Sequence, residues 1–359
     1  MKYTLRLAAL CLTAALLLTA VACKGGETPS ATTTTAGGNV VQTLTPTTTT
    51  TAVPTTTTTT VPPIPDDGSD GYLSHDLYIW NNAAWELFYG GSWYADGYAQ
   101  TIASFKQYLP EQTVYNMIVP NHSEFGLPER LRDKMGCSSQ REITSLVYDS
   151  YSEDIVPVDI YDVMALHKNE YLYYNTDTHW ASLGAYYAYT KFCEVAGVPA
   201  LDIAQMEMTT VEDFCGYLYY VTEEPCLDEN PDHIDLYEPP VDYTAYIAAD
   251  SVNFVEVGGV NSPWESAGYS MFAWGDQPCM KIINHEGQSG RKVLIVKDSY
   301  GNAMVPFLVS SFDETHVADL RHFSQNLAQY CTDNGITDVL FFNNVMSMWQ
   351  TDNLNALFD

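Results

Sequence analysis

The sequence predicts an α/β fold for residues 66–359, a mostly parallel sheet with helices on both of its faces. Short apolar runs rich in β-branched residues at 292–296, 316–320 and 337–343 alternate with the helical stretches 301–308 and 324–333. Strands joined by helices in this way pair in parallel through right-handed crossovers and are buried on both sides. A cluster of polar residues (Ser299, Asp319, Arg321, Asn343 and Asn344) falls at the carboxyl ends of those runs. That is where open α/β sheets collect ligands.

Taken in order, the chain begins with a compartment signal. Residues 1–22 carry Lys2 and Arg6, an apolar run from Leu7 to Leu18, and Ala20-Val21-Ala22 immediately before Cys23. The pattern is that of a secretory signal peptide, and the Cys after it makes it resemble a lipoprotein signal with Cys23 as the acylated N-terminus, a plain signal peptide or an uncleaved anchor being the alternatives. The expected location is extracytoplasmic, anchored to the cell membrane by that lipid. Residues 23–65 form a Thr-rich linker, including Thr47–Thr51 and Thr55–Thr60, with too few apolar side chains to build a core. Extended at about 3.1 Å per residue, roughly 40 such residues reach on the order of 120 Å; as a coil they average nearer 35 Å. Either length holds a domain away from a membrane.

Composition narrows the partners. Asp and Glu number 45 against 15 Lys and Arg, a formal net charge of −30, which disfavours nucleic acid and anionic lipid. The 26 Tyr and 7 Trp, clustered at 85–98, 171–174 and 217–220, suit stacking against sugars, and equally suit a core. Six Cys lie in the domain, with no Cys-x-x-Cys pair and no zinc-type spacing. Cys215 and Cys226 are the nearest local pair.

Within the domain, residues 102–109 read as helix, 113–119 as a strand ending at Pro120, and 155–160 as a strand leading into a helix through His167. Residues 182–196 read as a helix closed by Gly197. Residues 211–288, acidic and interrupted by Pro and aromatics, read as an insertion or β-rich flap. Strand–helix alternation then returns and ends in a helix over 345–358.

Two stretches carry chemistry. In Asn175-Thr176-Asp177-Thr178-His179-Trp180 an Asp and a His two positions apart on extended backbone point the same way. The carboxylate then reaches one imidazole nitrogen and leaves the other free. In Lys297-Asp298-Ser299-Tyr300-Gly301 a Ser sits on the turn between a buried strand and a helix. A Ser hydroxyl attacks a carbonyl once an adjacent base takes its proton and a third group fixes that base. Structural roles compete: Asp177 and Ser299 are also helix-cap residue types, and Asp319 with Arg321 forms an ion pair equally well. No metal is expected, because no third ligand accompanies Asp177 and His179.

The ordered set Asp177-Thr178-His179-Trp180, Gly184-Ala185-Tyr186-Tyr187-Ala188-Tyr189, Val296-Lys297-Asp298-Ser299-Tyr300 and Asp319-Leu320-Arg321 resembles the DHHW protein family. That family is similar to the SGNH hydrolase-like domains of the alginate O-acetyltransferases of the AlgX and AlgJ type. The second motif position is Thr178 rather than His, as in the Asp-Thr-His-Trp of the alginate enzymes. The resemblance implies a three-layer α/β/α SGNH hydrolase-like (flavodoxin-like) fold with permuted catalytic motifs and an inserted segment. It implies Ser299 as nucleophile, His179 as general base and acid, and Asp177 as its orienting group. Oxyanion and substrate contacts are expected from the backbone N–H groups near Ser299 and Tyr300 at the helix N-terminus, with side-chain help from Asn302 or Arg321. The implied activity is O-acetyl transfer to an extracellular or cell-wall polysaccharide through an acyl-Ser, without a cofactor. The acetyl donor would be passed on by a membrane-bound O-acyltransferase. An esterase or deacetylase using the same triad, or a non-catalytic glycan-binding or assembly subunit, are the alternatives.

Overall fold

The computed structural model describes residues 60–359. The signal segment, Cys23 and all but the end of the Thr-rich linker lie outside the described residues.

The central sheet has eight strands: β1 (Thr113–Val119), β2 (Ile155–Pro157), β3 (Tyr243–Ala248), β4 (Val255–Val257), β5 (Cys279–Asn284), β6 (Lys292–Lys297), β7 (Glu314–Asp319) and β8 (Asp338–Asn344). Their order is β2-β1-β8-β6-β7-β5-β3-β4. From β2 to β7 all neighbours are parallel, and from β7 to β4 all are antiparallel. The region 211–288 is thus only partly the flap expected of it. Its strands β5, β3 and β4 continue the sheet and cover the edge that β7 would otherwise expose.

Alternation along the parallel strands builds two cores. Tyr115, Met117, Ile295, Leu340 and Phe342 face one way and pack with Ala185, Ala188, Tyr189 and Phe192 of a helix over Ser182–Ala196. Val114, Ile118, Leu294, Val339 and Phe341 face the other way and pack with helices over Ser92–Phe105, Gln140–Asp149 and Leu327–Asn334. The result is the three-layer α/β/α arrangement, with every central strand dry on both sides.

Several element boundaries differ from expectation for local reasons. The helix expected at 102–109 spans Ser92–Phe105, with Ala95, Tyr98, Ala99, Ile102 and Phe105 on its buried stripe. Strand β2 ends at Pro157, an edge position that needs no N–H, and the Val158 N–H makes the last bond to the Asn116 carbonyl at 2.8 Å. The helix expected at 345–358 is instead two short pieces, Val345–Ser347, capped by the Asn344 side chain, and Thr351–Ala356. A three-stranded meander, Tyr72–Ser74, Leu77–Trp80 and Ala83–Trp85, is unannounced in the sequence. Its turns place His75, Asp76, Asn81 and Asn82 at positive φ, where Gly would have been the signal. All six domain cysteines are free, Cys215 and Cys226 included.

Candidate active site

The Asp–His motif lies on a tight loop rather than on a strand. A bridge between Tyr173 and Trp180 closes the loop, and Tyr174 N–H donates to the His179 carbonyl at 3.3 Å. Inside it Asp177 turns back on itself, its Oδ1 accepting the His179 backbone N–H at 3.0 Å and lying 2.5 Å from the ring Nδ1. An Asx turn, not strand alternation, therefore brings the pair together. Asp232 locks the approach to this loop. Its carboxylate accepts the N–H groups of Asn175 at 2.9 Å and Thr176 at 2.7 Å, with the Thr176 hydroxyl also at 2.7 Å.

Ser299 follows β6 and opens a 3₁₀ turn over Ser299–Met304. The cap of that turn is Asp298, whose Oδ1 accepts the Tyr300 N–H at 3.0 Å, so Ser299 is left free of capping. Asp298 Oδ2 accepts the Asn344 N–H at 2.6 Å and the Ser347 hydroxyl, which ties the Ser turn to the end of β8. Burial raises the Asp298 carboxyl pKa, and these donors oppose it. His179 Nε2 stands 2.8 Å from Ser299 Oγ. Asp177, His179 and Ser299 thus form one hydrogen-bonded line at the carboxyl end of the parallel sheet.

The surroundings hold the imidazole in place. Its ring stacks on Tyr269 at 3.7 Å between centroids, with 9° between the planes. Tyr269 in turn donates its hydroxyl to the Tyr300 carbonyl at 3.1 Å, where Trp180 Nε1 also arrives at 2.8 Å. Asp177, 4% exposed, is opposed by burial. The neighbouring His179 and the N–H groups of Tyr217 and His179 outweigh that and hold its carboxyl below the usual carboxylate range. Thr178 points away from the line and donates to Glu86, whose carboxyl pKa burial raises.

Gly216 makes this carboxylate site possible. A Cβ built there would lie 2.2 Å from the Asp177 Cβ and 2.3 Å from its Oδ2, while the next N–H, that of Tyr217, donates to the same Oδ2 at 2.8 Å. Gly216→Ala is expected to push Asp177 off His179 and lower any triad-dependent turnover by roughly 10²-fold, the scale of a misplacement of about 1 Å. Steady-state kinetics beside a thermal melt checks this: a rate within twofold of wild type would contradict the assigned contact.

The expected oxyanion contacts divide. The Tyr300 N–H is taken by Asp298 and that of Gly301 by the Asp298 carbonyl at 3.1 Å, which corrects the expectation placed on the backbone at Tyr300. Arg321 does not line the cavity over Ser299. Its guanidinium is spent on Asp319, at 2.7 and 2.9 Å, and on Asp276, at 2.8 Å. Asn302 does line the cavity, 1% exposed. One of its amide hydrogens goes to Asp276 Oδ1 at 3.0 Å, which leaves the other for a ligand.

The cavity, about 460 Å³, has Ser299 and His179 at its base and Tyr217 and Tyr220 at its rim, 61% and 69% exposed. Tyr217 and Tyr220 belong to the aromatic clusters noted in the sequence. Gly216, Asp232, Tyr269 and Glu86 were not noted there, since each is joined to the motif only through long-range packing.

A three-layer α/β/α fold thus carries a Ser–His–Asp line at the carboxyl ends of its parallel strands. The chain belongs to the DHHW protein family, whose model matches residues 65–318. A DHHW family protein from Eubacterium siraeum has the same fold at 34% identity, with a TM-score of 0.73 over 81% of this chain and 99% of its own. PatB1 of Bacillus cereus is similar at 20% identity and a TM-score of 0.63, covering 76% of this chain and 96% of that one, and it has also been solved as a sulfonyl adduct. The O-acetyltransferase domain of Pseudomonas putida AlgJ is 12% identical, with a TM-score of 0.42 over 80% of this chain and 99% of that one. No curated protein matches the sequence.

Proposed function

We propose that the chain is an O-acetyltransferase acting on an extracellular or cell-wall polysaccharide, held at the outer face of a cell membrane by an acylated Cys23. The observation that carries the reading is the continuous line from Asp177 through His179 to Ser299, at 2.5 and 2.8 Å. In the first half-reaction Ser299 Oγ attacks the carbonyl carbon of an acetyl donor while His179 Nε2 takes the hydroxyl proton. Asp177 stabilises the imidazolium so formed and fixes the tautomer that presents Nε2 to Ser299. The negative charge developing on the carbonyl oxygen is met by the free amide hydrogen of Asn302. Collapse expels the donor's leaving group, which takes the proton from His179 and leaves acetyl-Ser299. In the second half-reaction a sugar hydroxyl loses its proton to His179 and attacks the acetyl carbon, and Ser299 Oγ leaves with that proton.

The exposed rings of Tyr217 and Tyr220 beside the cavity support a sugar acceptor, since their faces suit stacking on pyranose rings. The sulfonyl adduct of PatB1 supports a reactive nucleophile in this fold. The Thr-rich linker suits a domain that works at some distance from its anchor, and a membrane-bound O-acyltransferase is the proposed source of the acetyl group.

The test is turnover of a chromogenic acetyl ester by the purified protein, with and without oligosaccharide acceptors. Acetate transferred to sugar is the expected result. Acetate released only into water would make the protein an esterase or deacetylase, and absence of turnover would leave a non-catalytic glycan-binding subunit.

A further inference from the structure

The cavity over Ser299 does not end at Tyr217. It shares Val211 and Glu265 with a second cavity of about 330 Å³, so the two form one groove leading away from the Ser. Among the described residues no Lys or Arg lines either part, whereas Glu212, Asp213, Glu265 and Asp276 line the first and Glu207 and Glu238 the second. Asp276 is matched by Arg321 at 2.8 Å. Asp177, which also lines it, is held by His179, whereas Glu212, Asp213 and Glu265 have no ion-pair partner among the described residues.

The placement of Glu212 and Asp213 is a built feature. The ribbon of Glu207–Phe214 against Asp232–Glu238 shifts register between Val211 and Phe214, and Asp213 sits at φ 57°, a conformation an L residue rarely adopts. A bulge of this kind takes its residues out of the ladder and re-aims them, here at the groove. Independently, two side-chain amide oxygens among the lining residues lack a hydrogen-bond partner. Asn302, 1% exposed, has no partner for its Oδ1, and Asn261 Oδ1 in the second cavity has none either. Buried carbonyl oxygens left open in this way call for N–H or O–H groups from a ligand.

From the unpaired carboxylates and the two open amide oxygens we infer that the groove binds an oligosaccharide carrying protonated primary amines, that is, N-deacetylated amino sugars. Uronate and phosphate polymers are repelled by the same lining. The inference rests on the proposed function in one respect, that the acceptor occupies this groove.

Calorimetric titration of the full chain carrying Ser299→Ala tests it without requiring chemistry. The probes are a glucosamine tetramer, an N-acetylglucosamine tetramer and a uronate tetramer of equal length. The expected order is glucosamine tighter than N-acetylglucosamine by at least roughly tenfold, with no uronate binding. The preference should shrink as salt is raised. Adding Glu212→Gln with Asp213→Asn should reduce it to about twofold. The pair Glu142→Gln with Asp149→Asn, on the helix over Gln140–Asp149, should leave it intact. Equal affinity for the two amino-sugar tetramers would overturn the inference. So would a preference that survives in the groove variant, or one lost equally in the helix variant, which would mark attraction by net charge alone. Loss of ester turnover elsewhere would remove the acetyltransferase reading and leave this binding result standing.

Discussion

Ser299→Ala is expected to lower acetyl-ester turnover by about 10⁴-fold or more while leaving the folded domain as stable as before. The Ser side chain is half-buried and its one side-chain hydrogen bond is to His179, so its loss removes the attacking atom and little packing. His179→Ala should cost a similar factor, and the double variant little more than either alone, because groups acting as one unit are strongly non-additive. Asp177→Asn should keep the geometry yet lose activity on about the same scale, since an amide presents the imidazole in the wrong tautomer. Rates of these four proteins with one chromogenic ester decide the matter. Multiplicative losses in the double variant would mean that Ser299 and His179 do not act together.

The largest stability effect is expected one strand away, at Asp319. Its carboxylate, 0% exposed, receives Lys297 Nζ at 2.8 Å and the Arg321 guanidinium at 2.7 and 2.9 Å. Lys297 is itself 0% exposed, with Asp276 at 3.7 Å as its other counter-charge. Asp319→Ala leaves that ammonium buried with little compensation, and a loss of about 3–5 kcal/mol is expected in denaturant unfolding. Lys297→Met combined with Asp319→Leu should recover most of it, because an apolar pair of similar volume avoids the desolvation cost. Burial opposes the Asp319 charge, but Lys297 and Arg321 prevail and hold its pKa at about 2. Since the folded value lies below the unfolded one, this stabilisation is present in full above about pH 4 and disappears as pH falls through 2. A variant as stable as wild type at pH 7 would contradict the ion-pair account.

What was legible in the sequence follows from how each feature is encoded. Strands β6 and β8 read clearly because burial on both faces demands continuous apolar runs, and the helix over Ser182–Ala196 because Gly197, at φ 69°, closes it. Asp177, His179 and Ser299 were legible as motif residues, although the loop geometry that joins the first two was not. An Asx turn and an extended pair look alike at Asp-x-His spacing. Gly216 and Tyr269 were invisible for a different reason. Their importance lies in one close contact each, with Asp177 and His179, and nothing in their neighbours along the chain announces it. The antiparallel strands β3 and β4 were hidden by half-exposed, aromatic and acidic residues that follow no clean alternation. Tyr300 was expected to offer its N–H to an oxyanion, and the cap from Asp298 that occupies it is a side-chain choice no spacing rule records.

The central claim is that Ser299 is an activated nucleophile, and covalent trapping tests it most directly. The protein is treated with an aryl sulfonyl fluoride, digested, and the modified residue located by mass spectrometry. The account predicts one adduct, on Ser299, absent in Ser299→Ala and formed far more slowly in His179→Ala. No adduct, or one on another residue that persists in Ser299→Ala, would contradict it.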